Sequence, residues 1–205
     1  MSVRFTISAE GSSDEVLLPI LRWTLGRYHP GVESEIYFDD FRLMGRQRDL
    51  RQRLRGSLAR YPCDVLVVHR DSDGEDAEAR AAEIRGAVAD LEGVHRTALI
   101  VPVRMTEAWL LTDEVAIRVA AGVPLGRMDL GLPTLAELER LADPKQRLHQ
   151  TLRAASGYAG RRMRQFSPER AVHRVAEQTR TFEPVAALSG FVRFRESLDL
   201  ALREQ

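Results

Sequence analysis

Asp71 and Asp73 lie two residues apart, just past an apolar run at 64–68. In extended geometry both side chains point to the same side of the chain. Two carboxylates held that close repel unless a cation lies between them. Other acids follow apolar stretches in the same way: Glu10, with Asp14 four residues on, and Glu107. Magnesium takes oxygen ligands, keeps several waters, and binds through one or two carboxylates plus substrate phosphate oxygens. Manganese accepts the same donors. The pattern therefore points to a divalent cation serving phosphodiester chemistry. Each signal has a plainer reading when taken alone. Asp-Ser-Asp-Gly is a turn-forming run, and an acid at Glu107 suits the first turn of a helix. Their recurrence after successive strands favours the metal.

The elements that would position these acids follow from periodicity. Residues 3–9 alternate and carry β-branched side chains, the pattern of a strand. A turn at Glu10-Gly-Ser-Ser-Asp14 leads to an amphipathic helix over 15–27, then a short strand over 35–38. An arginine-coated helix over 46–60 carries Leu50, Leu54 and Leu58 at helical spacing. Residues 64–68 form a continuous apolar run, as expected of a parallel strand buried on both faces. A helix over 75–91, a strand over 97–103 and a helix over 106–121 follow; Pro102 marks the second strand as an edge or a strand end. This alternation predicts an α/β domain over 1–121 with a mostly parallel sheet flanked by helices. Ligands then bind beyond the carboxyl ends of the strands, where Glu10, Asp71 and Glu107 would converge. A Pro/Gly-rich link opens a second region, 122–205, read as an α-helical C-terminal subdomain with helices near 134–141, 145–155, 168–178 and 189–204.

Composition narrows the class. The chain has 205 residues, 44% hydrophobic and 29% charged, with 30 basic and 30 acidic side chains. Net charge therefore says nothing of a polyanionic partner, but distribution does: 161–180 is strongly basic. Arg161, Arg162, Arg164 and Arg174 are candidates for phosphate-backbone contacts, and a solvated helix face is the alternative. A single cysteine, Cys63, suits a reducing cytoplasm. No run approaches the roughly 20 apolar residues of a membrane span, so no membrane partner is expected. There is no phosphate-binding Gly-rich loop and no Gly-x-Ser-x-Gly elbow. His29, His69, His95, His149 and His173 lack zinc-ligand spacing, and only His69, beside the acids, is kept as a site contributor. Lys145 is the only lysine among 30 basic residues.

Glu10-Gly11 after the first strand and Asp71-Ser72-Asp73 after the third resemble the hallmarks of the Toprim superfamily, over about residues 1–120. Within it, Asp14 and Thr106-Glu107 are similar to the OLD-like nuclease branch and to small stand-alone bacterial proteins of the RloB kind. That branch also uses a downstream lysine, and Lys145 is the one candidate. The resemblance implies a magnesium- or manganese-dependent nuclease. Asp71, Asp73 and Glu107 would hold one ion, and Glu10 with Asp14 would help hold another. Two such ions, ~4 Å apart, stabilise the attacking and leaving oxygens of an in-line displacement. Glu10 could instead be the general acid/base, and Lys145 would offset charge on the pentacoordinate phosphate. OLD proteins carry an ATPase domain that this chain lacks, so any ATP dependence would come from a partner ATPase. Two alternatives stay open: a non-catalytic or partner-activated subunit that binds metal and nucleic acid, and a phosphohydrolase or nucleotidyl transferase acting on small substrates.

Overall fold

The computed structural model describes residues 2–40, 49–72, 76–89, 91 and 96–203. Asp73, His95 and the start of the helix expected over 46–60 lie outside the described residues. The chain divides into two compact units, one made of Met1–Val103 with Ser189–Gln205 and the other of Arg104–Leu188.

The first unit is α/β. Strands β1 (Val3–Ala9), β2 (Ser34–Asp40), β3 (Val65–His69) and β4 (Thr97–Ile100) alternate with helices α1 (Leu17–Tyr28), α2 (Leu50–Arg60) and α3 (Ala77–Ala89). The sheet runs β2-β1-β3-β4 and every pairing is parallel. The connection from β1 to β2 steps one way, and the next two step the other. Right-handed crossovers therefore put α1 on one face and α2 with α3 on the opposite face. Leu50 and Leu54 of α2, Leu66 and Val68 of β3 and Ile84 of α3 share one buried cluster accordingly. The strand order reverses between β1 and β3, which makes their carboxyl ends the topological switch point of the sheet.

The C-terminal helix, named α10 once the helices of the other unit are counted (Ser189–Arg203), belongs to this α/β unit and not to the helical one. Ser197 Oγ accepts the Leu99 N–H at 2.9 Å, satisfying an amide of edge strand β4. Phe191 and Phe194 are fully buried, and each such side chain contributes about 1.5–3 kcal/mol. Phe191 also meets Trp23 of α1 edge-on at 6.1 Å. The units divide at 103/104 and 188/189, where a single boundary at 121/122 was expected, and the return of α10 accounts for the second division. Strand β4 is shorter than the expected 97–103. Beyond Ile100 the carbonyls of Pro102 and Val103 instead accept the Ser72 hydroxyl, at 2.9 Å for Pro102.

The second unit is all helix among its regular elements: α4 (Glu107–Leu110), α5 (Glu114–Ala120), α6 (Leu135–Leu138), α7 (Pro144–Ser156), α8 (Gly160–Gln165) and α9 (Pro168–Gln178). The single helix expected over 106–121 is two. The Asp113 side chain accepts the Ala116 N–H at 2.9 Å and so caps a fresh start. Helix α7 has a capping Asp143, a proline at its first position and Gly157 at φ +60 just past its end. Ile117, Leu148, Leu152, Val172 and Val175 are buried within the unit. Among the described residues, no helix is long and apolar enough to cross a membrane.

Candidate functional site

The turn after β1 is built around Asp14. Its Oδ2 accepts the N–H groups of Glu10 and Gly11, each at 3.0 Å, and its Oδ1 accepts the Ser13 hydroxyl at 3.2 Å. Three donors on one carboxylate fix the loop that presents Glu10. The Glu10 carboxylate faces Arg70, whose Nε lies 2.5 Å from Oε1. Arg70 Nη1 also donates to Glu83 at 2.9 Å, and Glu83 meets Arg80 at 2.6 Å. A chain of alternating charge thus runs off the end of β3. Burial pushes the Glu83 carboxyl up, but bonding to Arg80 and Arg70 and their positive charges outweigh it and hold the group below the ordinary glutamate range.

His69 ends β3 and is 1% exposed. Its Nδ1 lies 3.0 Å from the Ile100 carbonyl, which can only accept, so Nδ1 carries a proton. Nε2 then faces two carboxylates, with Asp71 Oδ1 at 3.4 Å and Asp14 Oδ2 at 4.0 Å. In the neutral ring that nitrogen presents a lone pair to acceptors, an arrangement that calls for a proton or a cation between them. A divalent cation with bonds of about 2.1 Å sets adjacent ligand atoms about 3 Å apart, so the His69–Asp71 spacing of 3.4 Å is close to what one ion bridging both requires. Among the described residues no group of three His, Cys, Asp or Glu side chains could hold a metal ion. His69 and Asp71 alone offer two ligands there. Buried Ser72 ties the segment to the chain beyond β4.

No protein-family model, no curated protein and no solved structure matches this chain. What can be said of the site rests on its own atoms.

Glu107 and Lys145 fall in the helical unit, where Lys145 Nζ lies 3.9 Å from Glu107 Oε1. Glu107 is the first residue of α4 and buried, whereas the lysine side chain is 44% exposed. One turn along α7, His149 stands 3.9 Å from Glu169. Burial, with the charges of Arg153 and Lys145, pulls the His149 ring below the ordinary histidine value against the opposing pull of Glu169 and Glu107. Of the four arginines picked from the sequence, Arg162 and Arg174 line one depression together with Arg170. Arg161 and Arg164 are exposed on the same helix but do not line it, as a helical rotation of about 100° per residue dictates.

Two features were not anticipated. Arg70 lies between the expected acids and pairs with one of them. Asp39, at the end of β2, is buried beneath a relay in which Ser8 meets Ser57 at 2.5 Å, Ser57 donates to Asp39, and Arg60 pairs with Asp39 at 2.5 Å. Asp39 is a structural acid: its oxygens are taken by an arginine and a buried hydroxyl.

Proposed function

We propose that the chain is a divalent-metal-dependent phosphodiesterase acting on nucleic acid, in the manner of the Toprim-like nucleases its sequence resembles. The observation that supports it best is the meeting of Asp71, Asp14 and a buried His69 Nε2 where β1 and β3 end, at the switch point of a parallel sheet. Asp71 and His69 would hold the cation, with Asp73 the next acid in sequence. Bound there, the cation would supply Lewis-acid stabilisation of phosphate charge and an activated water. Asp14 positions the turn bearing Glu10, whose carboxylate is the candidate general acid/base. Arg70 is a guanidinium beside that carboxylate, able to turn to a phosphate oxygen when the phosphate arrives. With magnesium or manganese and end-labelled oligonucleotides, the wild-type chain should cleave, and Asp71→Asn or Glu10→Gln should lose at least about 100-fold, the usual scale for a general acid/base. Cleavage unchanged in both variants contradicts the reading.

A second reading draws on the Glu10–Arg70 pair, which neutralises the candidate general acid/base. The chain would then bind metal and nucleic acid as a subunit activated by a partner, for which an ATPase is the expectation from the OLD-like resemblance. Metal binding without turnover by the isolated chain favours this second reading.

A further inference from the structure

A depression lies between α8 and α9 in the helical unit. It encloses about 650 Å³ and is lined by Arg162, Arg170, Arg174, Tyr158, Phe166 and the α9 cap Ser167, among others. That volume lies within the range of about 300–1,000 Å³ typical of small-molecule pockets. Several arginines elsewhere are answered by acids: Arg4 by Asp64, Arg60 by Asp39, Arg70 by Glu10, Arg118 by Glu114. Among the described residues, the guanidinium groups of Arg162, Arg170 and Arg174 have no carboxylate within ion-pair distance. The nearby acid, Glu169, is turned to the Ser167 hydroxyl at 2.9 Å and to His149. Three like charges thus line one concavity with no counter-ion among the described residues.

The aromatic residues beside them are held, not loose. Tyr158 and Phe166 meet edge to face, with ring centroids 5.8 Å apart and planes at 80°. The Tyr158 hydroxyl lies 3.1 Å from where a Cβ on Gly122 would stand, and Gly122 has φ +84. Glycine there both permits the backbone and leaves room for the phenol. Both rings are half-buried, so each is fixed by packing while keeping some exposed surface at the depression. Fixed aromatic surface next to unpaired arginines is the combination by which proteins bind single-stranded nucleic acid, base on ring and phosphate on guanidinium.

We propose that this depression binds one nucleotide unit of a single strand, its phosphate on Arg162, Arg170 and Arg174 and its base against Phe166 and Tyr158. The proposal rests on the reading above that nucleic acid is the substrate, and names single-stranded chain as the form engaged. A free mononucleotide offers the same chemistry, and the test separates the two.

The test is fluorescence anisotropy in EDTA, where no cleavage intervenes, with a labelled single-stranded oligonucleotide, a blunt duplex of the same sequence and a mononucleotide competitor. Wild type should prefer the single strand. Arg170→Gln with Arg174→Gln should weaken binding at least about 10-fold, and should reduce the slope of log affinity against log salt by up to about 0.7, the value for one phosphate of a single strand. Arg170→Lys should keep the slope. Phe166→Leu, which keeps an apolar side chain but removes the ring, should weaken binding by about 10-fold with the slope unchanged, one stacked base being worth about 1–3 kcal/mol. Competition by mononucleotide as strong as by the oligonucleotide assigns the pocket to free nucleotides and overturns the single-strand claim. Equal binding of duplex and single strand, unaltered binding in the double arginine variant, or no binding by wild type each overturns it as well. Because the assay contains no metal, loss of cleavage in Asp71→Asn with binding intact leaves the pocket standing. The converse pattern, cleavage without dependence on these arginines, removes the pocket and leaves the metal reading.

Discussion

At the carboxyl edge of the sheet, charges answer one another: Glu10 with Arg70, Arg70 with Glu83, Glu83 with Arg80, Asp14 with its own backbone. In the helical unit, Arg162, Arg170 and Arg174 line one depression and, among the described residues, meet no acid. The contrast separates two uses of charge. A paired group is positioned, since its partner fixes its geometry and part of its electrostatic energy is already spent. An unpaired group in a concave site is available, because a ligand need not displace anything to reach it. The metal proposal therefore turns on the sheet edge, where His69 Nε2 faces Asp71 Oδ1 at 3.4 Å.

Variants can break this contrast, and the largest effect falls on Asp39. Asp39→Ala strips the acceptor from a buried Ser57 hydroxyl and from Arg60, and should cost about 2–3 kcal/mol of stability by urea denaturation, the scale of hydrogen bonds to a charged group. A loss under about 0.5 kcal/mol would mean the acid is not structural. Asp14→Ala removes the acceptor of two backbone N–H groups and should cost about 1–2 kcal/mol. Asp14→Asn, which keeps an oxygen, should cost less. Arg70→Gln turns the paired edge into an unpaired one. Freed of its guanidinium, Glu10 should tighten manganese binding by about 3- to 10-fold, since a partly exposed pair is worth about 1 kcal/mol. Weaker binding would show that Arg70 supports the metal site instead of competing with it.

The smallest effect concerns pH. Burial first, then Arg153 and Lys145, lower the His149 value below the ordinary 6.5. The unfolded chain therefore takes up a proton near the ordinary value while the folded chain resists it, so the unfolded state binds more protons in that window. This contribution is fully present above about pH 6.5 and declines as pH falls from there through the folded value. His149→Gln should flatten that part of the profile of urea midpoint against pH; an unchanged slope would exclude His149 as its source.

Local rules carried much of the fold. Residues 3–9 alternate and form β1 as expected, and α9 spans the expected 168–178, set by Ser167 and Pro168. Where long-range contact decides, the residues were silent. Helix α8 buries none of its residues, so it has no apolar period to betray it. Helix α10 joins the α/β unit through Ser197 and its phenylalanines, partners about 100 and 170 positions away. Strand-end logic expected Glu10 and Asp71 just past strands, and they follow β1 and β3, because position at a strand end is legible in a pattern. That Arg70 would occupy Glu10 was not, since a side-chain pairing across β1 and β3 leaves no periodic trace. Glu107 and Lys145, both drawn from the OLD-like resemblance, lie 3.9 Å apart within the helical unit.

The most direct measurement is manganese binding to the full chain, followed by calorimetry and by the electron paramagnetic resonance of the free ion. Wild type should bind, Asp71→Asn should bind at least about 10-fold more weakly, and His69→Gln should weaken binding within the roughly 10- to 100-fold range of groups that hold or orient a metal, all with unchanged circular dichroism. Manganese affinity equal in wild type and both variants, or no binding by wild type, would contradict the account.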